Sequence, residues 1–357
     1  MSAPPLQPIV IWFGRVGDMI MLTALLEILH RRFGLACRVI GAGAWSQEIY
    51  AEQPDVAETL WLHRYTPFVF DGRWWKTVWK LRRARRAPVY VCEADPRKLA
   101  SIHRLLRWGG IDGRRCVFLT QTPAAIAQVH WVDRLVSLGR LVPPAVPESD
   151  YPWPAPPPRC APRLVLSSAA RAAADEWLRR HAVGDAPLVL LQPGNRRTMR
   201  GRSLRIRESD DRFWPVERWA ALIRRLNQRL PQARIVLCGA AREGMLLGWI
   251  EAAAAMPGIV VRGLPFPGLF ALCARAHSMI SIDTGTAHAA AALGTPLVVL
   301  FGSTPPPQVT PRSPCGSPVI GVGGVPLMPR VDQLSVEEVF DAWSRLPLSS
   351  VSAAIAR

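Results

Sequence analysis

Five short stretches carry side chains whose types and spacing suit chemistry, and four of them follow an apolar run. Gly14-Arg15-Val16-Gly17-Asp18 closes the run from Ile9 to Phe13. Its spacing is not GxGxxG, so it is no dinucleotide fingerprint. It offers instead a carboxylate, Asp18, at the start of a helix and toward a cleft expected between two domains. Two roles suit that carboxylate: an N-cap, or a general base taking the proton of an incoming hydroxyl. The motif alone favours the cap. Ser281-Ile282-Asp283-Thr284-Gly285-Thr286-Ala287-His288 ends a strand and begins a helix. Helix N-termini gather free N–H groups and a positive dipole end, which suits a phosphate or diphosphate. Asp283 caps that helix or holds the loop. For His288 a structural role comes first and a phosphate contact second.

Gln192-Pro193-Gly194-Asn195-Arg196-Arg197 also lies just past a strand, and Arg212-Phe213-Trp214-Pro215 heads a later helix. Between them the polar stretch Thr198 to Asp211 holds Arg200, Arg202, Arg205 and Arg207. It reads equally as a solvated surface insertion or as a diphosphate clamp. Cys238-Gly239-Ala240-Ala241-Arg242-Glu243 places Glu243 where a ribose hydroxyl would be held. The fifth stretch, Arg73 to Arg83, interleaves tryptophan with cations. If helical, it sets Lys76, Lys80 and Arg83 on one face, with Trp75, Trp79 and Arg82 beside them. Such a face suits sugars, lipid headgroups or single-stranded nucleic acid. It competes with an ordinary helix that buries its indoles. No helix-turn-helix, RNP or zinc-finger pattern accompanies it, which argues against nucleic acid.

These loops need strands and helices to hold them, and the hydrophobic pattern supplies both. Ile9–Phe13, Cys37–Gly41 and Pro88–Cys92 read as strands; Met19, Leu22, Leu25, Leu26 and Leu29 mark a helix that ends at Phe33-Gly34. After a proline-rich break from Val142 to Arg163, the pattern restarts. Leu188–Gln192, Arg234–Cys238, Ser278–Ile282 and Pro296–Phe301 read as strands, the last of these as the final buried one. Helices are expected from Pro215 to Leu230, from Thr286 to Leu293 and near Ser335–Leu346. Alternating strands and helices predict an α/β fold with parallel sheets covered on both faces. The expected layout is a Rossmann-like domain over residues 1–145, a linker at 146–163, a second such domain over 164–334, and a C-terminal helix and tail at 335–357.

Composition narrows the function classes. The chain has 357 residues, 49% of them hydrophobic and 20% charged, which is globular and sufficient for about two cores. No apolar run reaches the roughly 20 residues of a membrane span, and residues 1–8 lack the cationic start of a secretory signal. Seven cysteines without CxxC spacing read as reduced, cytosolic and metal-free. A channel, a disulfide scaffold and a zinc protein are excluded on this reading, and no cofactor is implied. The 44 basic residues exceed the 27 acidic ones by a net charge of +17, and all but Lys76, Lys80 and Lys98 are arginine. Between Arg73 and Arg115 alone, 13 basic residues face 3 acidic ones. A GC-rich genome explains part of the arginine usage but not its clustering; an anionic partner is implied.

In order, these motifs resemble the bacterial heptosyltransferases, glycosyltransferase family nine. The resemblance rests on Gly17-Asp18 with the following Met-Ile-Met-Leu-Thr-Ala-Leu-Leu, Gln192-Pro193-Gly194, Arg212-Phe213-Trp214-Pro215 with Glu217-Arg218-Trp219, and Gly239 with Glu243. The most specific block runs from Asp283 through Pro296 to Leu300-Phe301-Gly302. It covers about residues 9–340, with 40–140 matching only in general character. The resemblance implies a GT-B fold and metal-independent, inverting transfer of a heptose from ADP-heptose to a lipopolysaccharide inner-core acceptor. It implies Asp18 as general base. Donor contacts would come from Pro193, Gly194, Asn195, Arg212, Glu243, Asp283, Thr284, Gly285, Thr286 and His288. Gly17, Arg73, Lys76, Lys80 and Arg83 are the acceptor-side candidates, the four cations because they suit an anionic, lipid-linked saccharide. The expected location is cytoplasmic, at the inner face of the membrane. Arg212 stands where many members carry lysine, and the stretch 198–211 is longer than in the simplest members.

Overall fold

The computed structural model describes residues 4–62, 71–123, 129–156, 160–195, 198–200, 203–204, 210–256, 259–262 and 264–347. The chain divides into two compact units between Val165 and Leu166. In the first, β1 (Ile9–Ile11) leads into α1 (Val16–Phe33). Then come β2 (Cys37–Ala42), α2 (Trp45–Tyr50), β3 (Val56–Leu62), α3 (Gly72–Arg83), β4 (Val89–Val91), α4 (Pro96–Trp108), β5 (Cys116–Phe118) and α5 (Trp131–Arg140). The strands pair in parallel in the order β3-β2-β1-β4-β5. The chain therefore reverses its direction of travel across the sheet between β1 and β4, where open α/β sheets take ligands. Ile9, Ile11, Ile40, Leu60, Val89 and Val91 join Trp74, Val78, Ile102 and Leu105 in one core. β3 has no counterpart in the sequence reading. As an edge strand it is buried on only part of its length, and Glu58, Thr59 and Trp61 interrupt its apolar pattern.

α1 stops where expected: Gly34 takes the left-handed φ of 80° and donates its N–H to His30 O. The helix is buried well beyond a single stripe, from Met19 to Phe33 on most of its turns, because α5 packs closely against it. A Cβ on Gly139 would lie 2.8 Å from Leu25 Cδ1, so any other residue at that crossing would displace the Leu25 side chain. The buried Arg32 closes the far end of α5, donating to Gly139 O and Arg140 O at 2.8 and 2.9 Å. A cation on the last carbonyls of a helix is well placed for the helix dipole.

The same arginine reaches the segment expected as a linker. Arg32 donates to Tyr151 O at 2.7 Å, the Tyr151 hydroxyl to Pro4 O at 2.7 Å, and the Arg163 N–H to Thr23 Oγ1 at 3.0 Å. Gln53 exchanges two hydrogen bonds with Val165. Proline cannot donate, but its neighbours' carbonyls accept, and the described residues between 146 and 165 are fastened to the first unit by these bonds.

In the second unit α6 (Ser168–Arg180) precedes β6 (Leu188–Gln192), the short hairpin β7 (Met199–Arg200) and β8 (Ser203–Leu204), and α7 (Val216–Arg229). β9 (Arg234–Gly239), α8 (Gly244–Ala254), β10 (Ile259–Arg262), α9 (Phe266–Arg275), β11 (Ser278–Ile282), α10 (Gly285–Ala292) and β12 (Leu297–Phe301) follow. α11 (Pro306–Val309), β13 (Val319–Gly323) and α12 (Val336–Ser344) complete it. The main sheet is parallel in the order β10-β9-β6-β11-β12-β13. β12 is the last buried strand, as expected; β13 adds a half-buried edge beyond it, whose glycines hid it from an apolar scan. Trp214 and Trp219 meet edge to face at 4.9 Å, and Trp214 Nε1 donates to Leu334 O. Trp343 of α12 is buried in the same core, its Nε1 donating to Ser278 Oγ at 2.9 Å. Here the reversal falls between β6 and β11, where Gln192 and Ser281 stand side by side.

Candidate active site

Asp18 sits at the first unit's reversal point, just past β1. It is the third residue of α1 rather than its cap, which is Arg15. Its Oδ2 accepts the Arg15 N–H at 2.6 Å, so it closes the first helical turn from inside. Gly14 leaves the room: a Cβ there would lie 2.6 Å from Asp18 Cβ. Burial raises the pKa of Asp18 above the usual aspartate range. The Arg15 N–H and the charges of Arg15 and Lys98 pull it back, and the charge of Glu93 pushes it further up.

Glu93 and Lys98 are the residues the sequence reading missed. The carboxylate of Glu93 follows β4 by two positions, is 4% exposed, and accepts the N–H groups of Ala94 and Asp95 at 3.1 Å. Lys98, in α4, lies 3.3 Å from its other oxygen and donates to Phe13 O at 3.0 Å. The lysine thereby ties the end of β1 to the end of β4. The signal was present: an acid directly after an apolar strand, at the same edge as Asp18. Gly17 lies half-buried in the first turn of α1.

The second unit gathers four of the expected segments. The N-cap of α10 is Thr284, not Asp283: Thr284 Oγ1 faces Ala287 N at 3.4 Å and Ser281 Oγ at 3.1 Å. Asp283 instead pairs with Arg212, Oδ2 to Nη2 at 3.0 Å. The guanidinium also donates to Asp283 O at 2.8 Å and to Thr304 Oγ1 at 2.9 Å. Its neighbour Asp211 accepts the Ser303 N–H and hydroxyl at 2.8 and 2.6 Å. Burial works against the Asp211 carboxylate, but these Ser303 bonds and Arg212 hold it below the usual range. A cation, a helix N-terminus and two hydroxyl loops therefore meet at the ends of β11 and β12. Gly285 and Thr286 open α10, where backbone N–H groups lack partners within the helix; His288 is buried one turn on.

Beside them, Gln192 Nε2 donates to Gly194 O at 2.9 Å, and Asn195 N–H to Thr198 Oγ1 at 2.9 Å. Pro193 is buried in this turn. Glu243 is 3% exposed, and its Oε2 accepts the Ala240 N–H at 2.7 Å. Burial raises its pKa above the usual glutamate range, against the pull of that bond. A Cβ on Gly194 would lie 3.2 Å from Glu243 Cδ, so the ends of β6 and β9 meet over this carboxyl. Arg196, Arg197, Arg202, Arg205 and Arg207 lie outside the described residues, and Arg200 is part of the short hairpin.

α3 is helical as expected, capped by Asp71 accepting the Arg73 N–H. Only Trp74 of its three indoles is buried; Trp75 and Trp79 are 44% and 47% exposed. The ordinary helix with all its tryptophans inside is thus not what forms. Arg73 stacks on Trp61 at 3.9 Å and Arg83 on Trp79 at 3.7 Å, while Lys76 is exposed. Lys80 does not share that freedom: it pairs with Glu58 at 2.9 Å. Despite partial burial, hydrogen bonds from Lys80 and Arg38 hold Glu58 below the usual glutamate range. Among the described residues no three His, Cys, Asp or Glu side chains group as metal ligands do, and no helix is long and apolar enough to cross a membrane.

Comparison with known proteins bears on both units. The fold is shared with E. coli ADP-heptose LPS heptosyltransferase II, with a TM-score of 0.71 at 20% identity over 95% of this chain and 98% of that one. It is also shared with E. coli heptosyltransferase WaaC bound to ADP-2-deoxy-2-fluoro heptose, with a TM-score of 0.63 at 15% identity over 95% and 99%. The GT-B class with two Rossmann-like α/β units, expected from the sequence, is the class of these structures. Lipopolysaccharide heptosyltransferase 1 of Pseudomonas aeruginosa is 35% identical over 98 residues, which span 27% of this chain and 26% of that protein. A model of glycosyltransferase family 9 (heptosyltransferase) matches residues 107–336, well over half the chain and including the loops that end β6, β9, β11 and β12. By that match the chain belongs to glycosyltransferase family 9, the heptosyltransferases.

Proposed function

We propose that this protein is an inverting, metal-independent glycosyltransferase moving a heptose from ADP-heptose to a lipopolysaccharide inner-core or related acceptor. The observation that carries the reading is Arg212, fixed at the head of α10 by Asp283 and Thr304. Transfer from a nucleotide sugar builds negative charge on the departing diphosphate. A positioned guanidinium and a helix N-terminus stabilise such charge where it develops. Asp283 beside them does not oppose an anion, because Arg212 matches its charge. Gly194, packed against Glu243, and Gly285, at the head of α10, hold this loop cluster with Pro193, Asn195, Thr284, Thr286 and His288. Glu243 suits a ribose hydroxyl.

At the first unit, Asp18 takes the proton of the acceptor hydroxyl. The freed oxygen attacks the anomeric carbon, the bond from that carbon to the β-phosphate oxygen breaks with its electron pair, and ADP leaves from the opposite face. An aspartate whose pKa burial holds above the usual range is a better base than an exposed one, while the N–H of Arg15 keeps it oriented. Gly17, Arg73, Lys76 and Arg83 suit the acidic groups of the acceptor. Lys80, already paired with Glu58, contributes through that pair. A lipid-linked acceptor brings the enzyme to the cytoplasmic face of the membrane, with nucleic acid no part of its function.

The test joins binding to turnover. ADP should raise the melting temperature more than uridine or guanosine diphosphate does. Asp18→Asn should bind ADP as the parent does and lose turnover by about 10²–10⁴-fold, the range for a lost general base. Preferential stabilisation by uridine or guanosine diphosphate would overturn the donor, and undiminished turnover would overturn the base.

A further inference from the structure

We infer that the outer face of α3 and the turn after it form a docking surface for an anionic lipid bilayer, an inference that rests on the membrane-linked acceptor proposed above. The helix has 12 residues and no acidic side chain, and the chain stays free of acid until Glu93. Its exposed indoles, Trp75 and Trp79, are one turn apart and hence on one face. They are not loose. Trp75 stacks on Trp108 at 5.5 Å with 12° between planes, and Trp108 in turn packs edge-on against the buried Trp74 at 6.0 Å. Arg82 Nε donates to Trp108 O at 3.0 Å, fixing the end of α4 against this face. Trp79 carries Arg83 on its ring. Large apolar rings held partly in water by a rigid support cost solvation unless something covers them.

The cover must be both apolar and anionic. Lys76 and Arg83 stand beside the indoles, and Arg85 and Arg86 extend the cations off the helix end, all exposed. Indoles with arginine and lysine form the pattern by which an amphipathic helix lies in a headgroup layer. Single-stranded nucleic acid stacks its bases on ring faces, and here Trp108 and Arg83 have taken one of the two faces of each ring. Exposed edges and flanking cations fit the boundary between headgroups and acyl chains better.

The test uses the full chain with vesicles and no acceptor. Binding to phosphatidylcholine vesicles containing phosphatidylglycerol is expected, with little to phosphatidylcholine alone and release by salt. Arg85→Ala/Arg86→Ala should weaken binding about 25-fold, from roughly fivefold per cation near an anionic surface. Trp75→Ala/Trp79→Ala should also weaken it, with the remaining binding more easily removed by salt. Arg85→Ala/Arg86→Ala should keep the parent's turnover on a soluble, lipid-free acceptor. Vesicle binding that appears only when glycolipid acceptor is incorporated would overturn the docking surface, as would unchanged binding by both variants or capture by single-stranded nucleic acid in place of vesicles. A parent that docks on vesicles but transfers no sugar would sink the catalytic reading and leave this surface standing.

Discussion

Replacing Arg212 by alanine removes three contacts at once: the ion pair to Asp283, the bond to Asp283 O and the bond to Thr304. The Arg212 side chain is 26% exposed and that of Asp283 only 9%, so the loss falls mainly on the aspartate. Breaking a fully buried pair by deleting one partner costs about 3–5 kcal/mol, and the remaining exposure of Arg212 places this one near 3. For a unit of this size that is about 6–12 °C in melting temperature. Most of the cost is the carboxylate left without its cation. Adding Asp283→Asn to Arg212→Ala should therefore recover about 2 kcal/mol, leaving roughly 1 for the lost neutral hydrogen bonds. Thermal unfolding of the parent, both single variants and the double variant completes the cycle. ADP affinity, measured on the same proteins, should fall about tenfold to a hundredfold with Arg212→Ala, the worth of a charge-assisted contact. A double variant that melts no higher than Arg212→Ala would refute the stranded-carboxylate account. Unchanged ADP affinity would remove Arg212 from the leaving group.

Gly302→Ala tests the same junction from the other side. Its new Cβ would lie 2.3 Å from Asp211 O, so the backbone carrying Arg212 must move; a loss of about 1–3 kcal/mol is expected, with weaker ADP binding, and parental values for both would show that the contact yields freely. At the first unit, Arg15, Lys98 and Glu93 act on Asp18, and the last two in opposite senses. Glu93→Gln should therefore move the acidic limb of the kcat/KM profile to lower pH and Lys98→Met to higher pH; displacement in one common direction would contradict the arrangement. The stability sign follows from the same shift: a raised folded value means that the folded chain holds the proton more tightly. That contribution is complete below the usual aspartate value and fades as pH rises through the raised one. Asp18→Asn should lack this decline when melting is followed across the window.

Where sequence reading succeeded, the determinant was local. β1, the glycine turn and α1 are written in an apolar run, two glycines and a three-four spacing, and Gly34 ends the helix for want of a Cβ. The block from Ser281 to His288 was legible for the same reason, strand, hydroxyls and small helix residues following one another. The roles inside it were not. Which residue caps α10 depends on Arg212, 71 positions away, drawing Asp283 aside and leaving the cap to Thr284. The proline-rich stretch read as a semi-rigid linker because its prolines bar helix and central strand. What fastens it is the guanidinium of Arg32, 119 positions earlier at Tyr151. Glu93 and Lys98 were passed over because each is unremarkable until β4 is known to lie beside β1.

The adjacency of Asp211 and Arg212 has a consequence for the donor side. One residue binds the loop after β12 and the next binds the loop after β11, and Asp211 O also accepts the Val331 N–H at 2.8 Å. Two neighbouring peptides thus couple three segments that are distant in sequence. A phosphate drawing on Arg212 would pull against bonds that also position Thr304 and Asp283, so ligand contact and loop order must change together. Lysine would have to serve both loops and an anion from one nitrogen, with no planar fork to spread its donors. A planar guanidinium can divide its donors among Asp283, Thr304 and a ligand, which gives arginine at this position a physical reason.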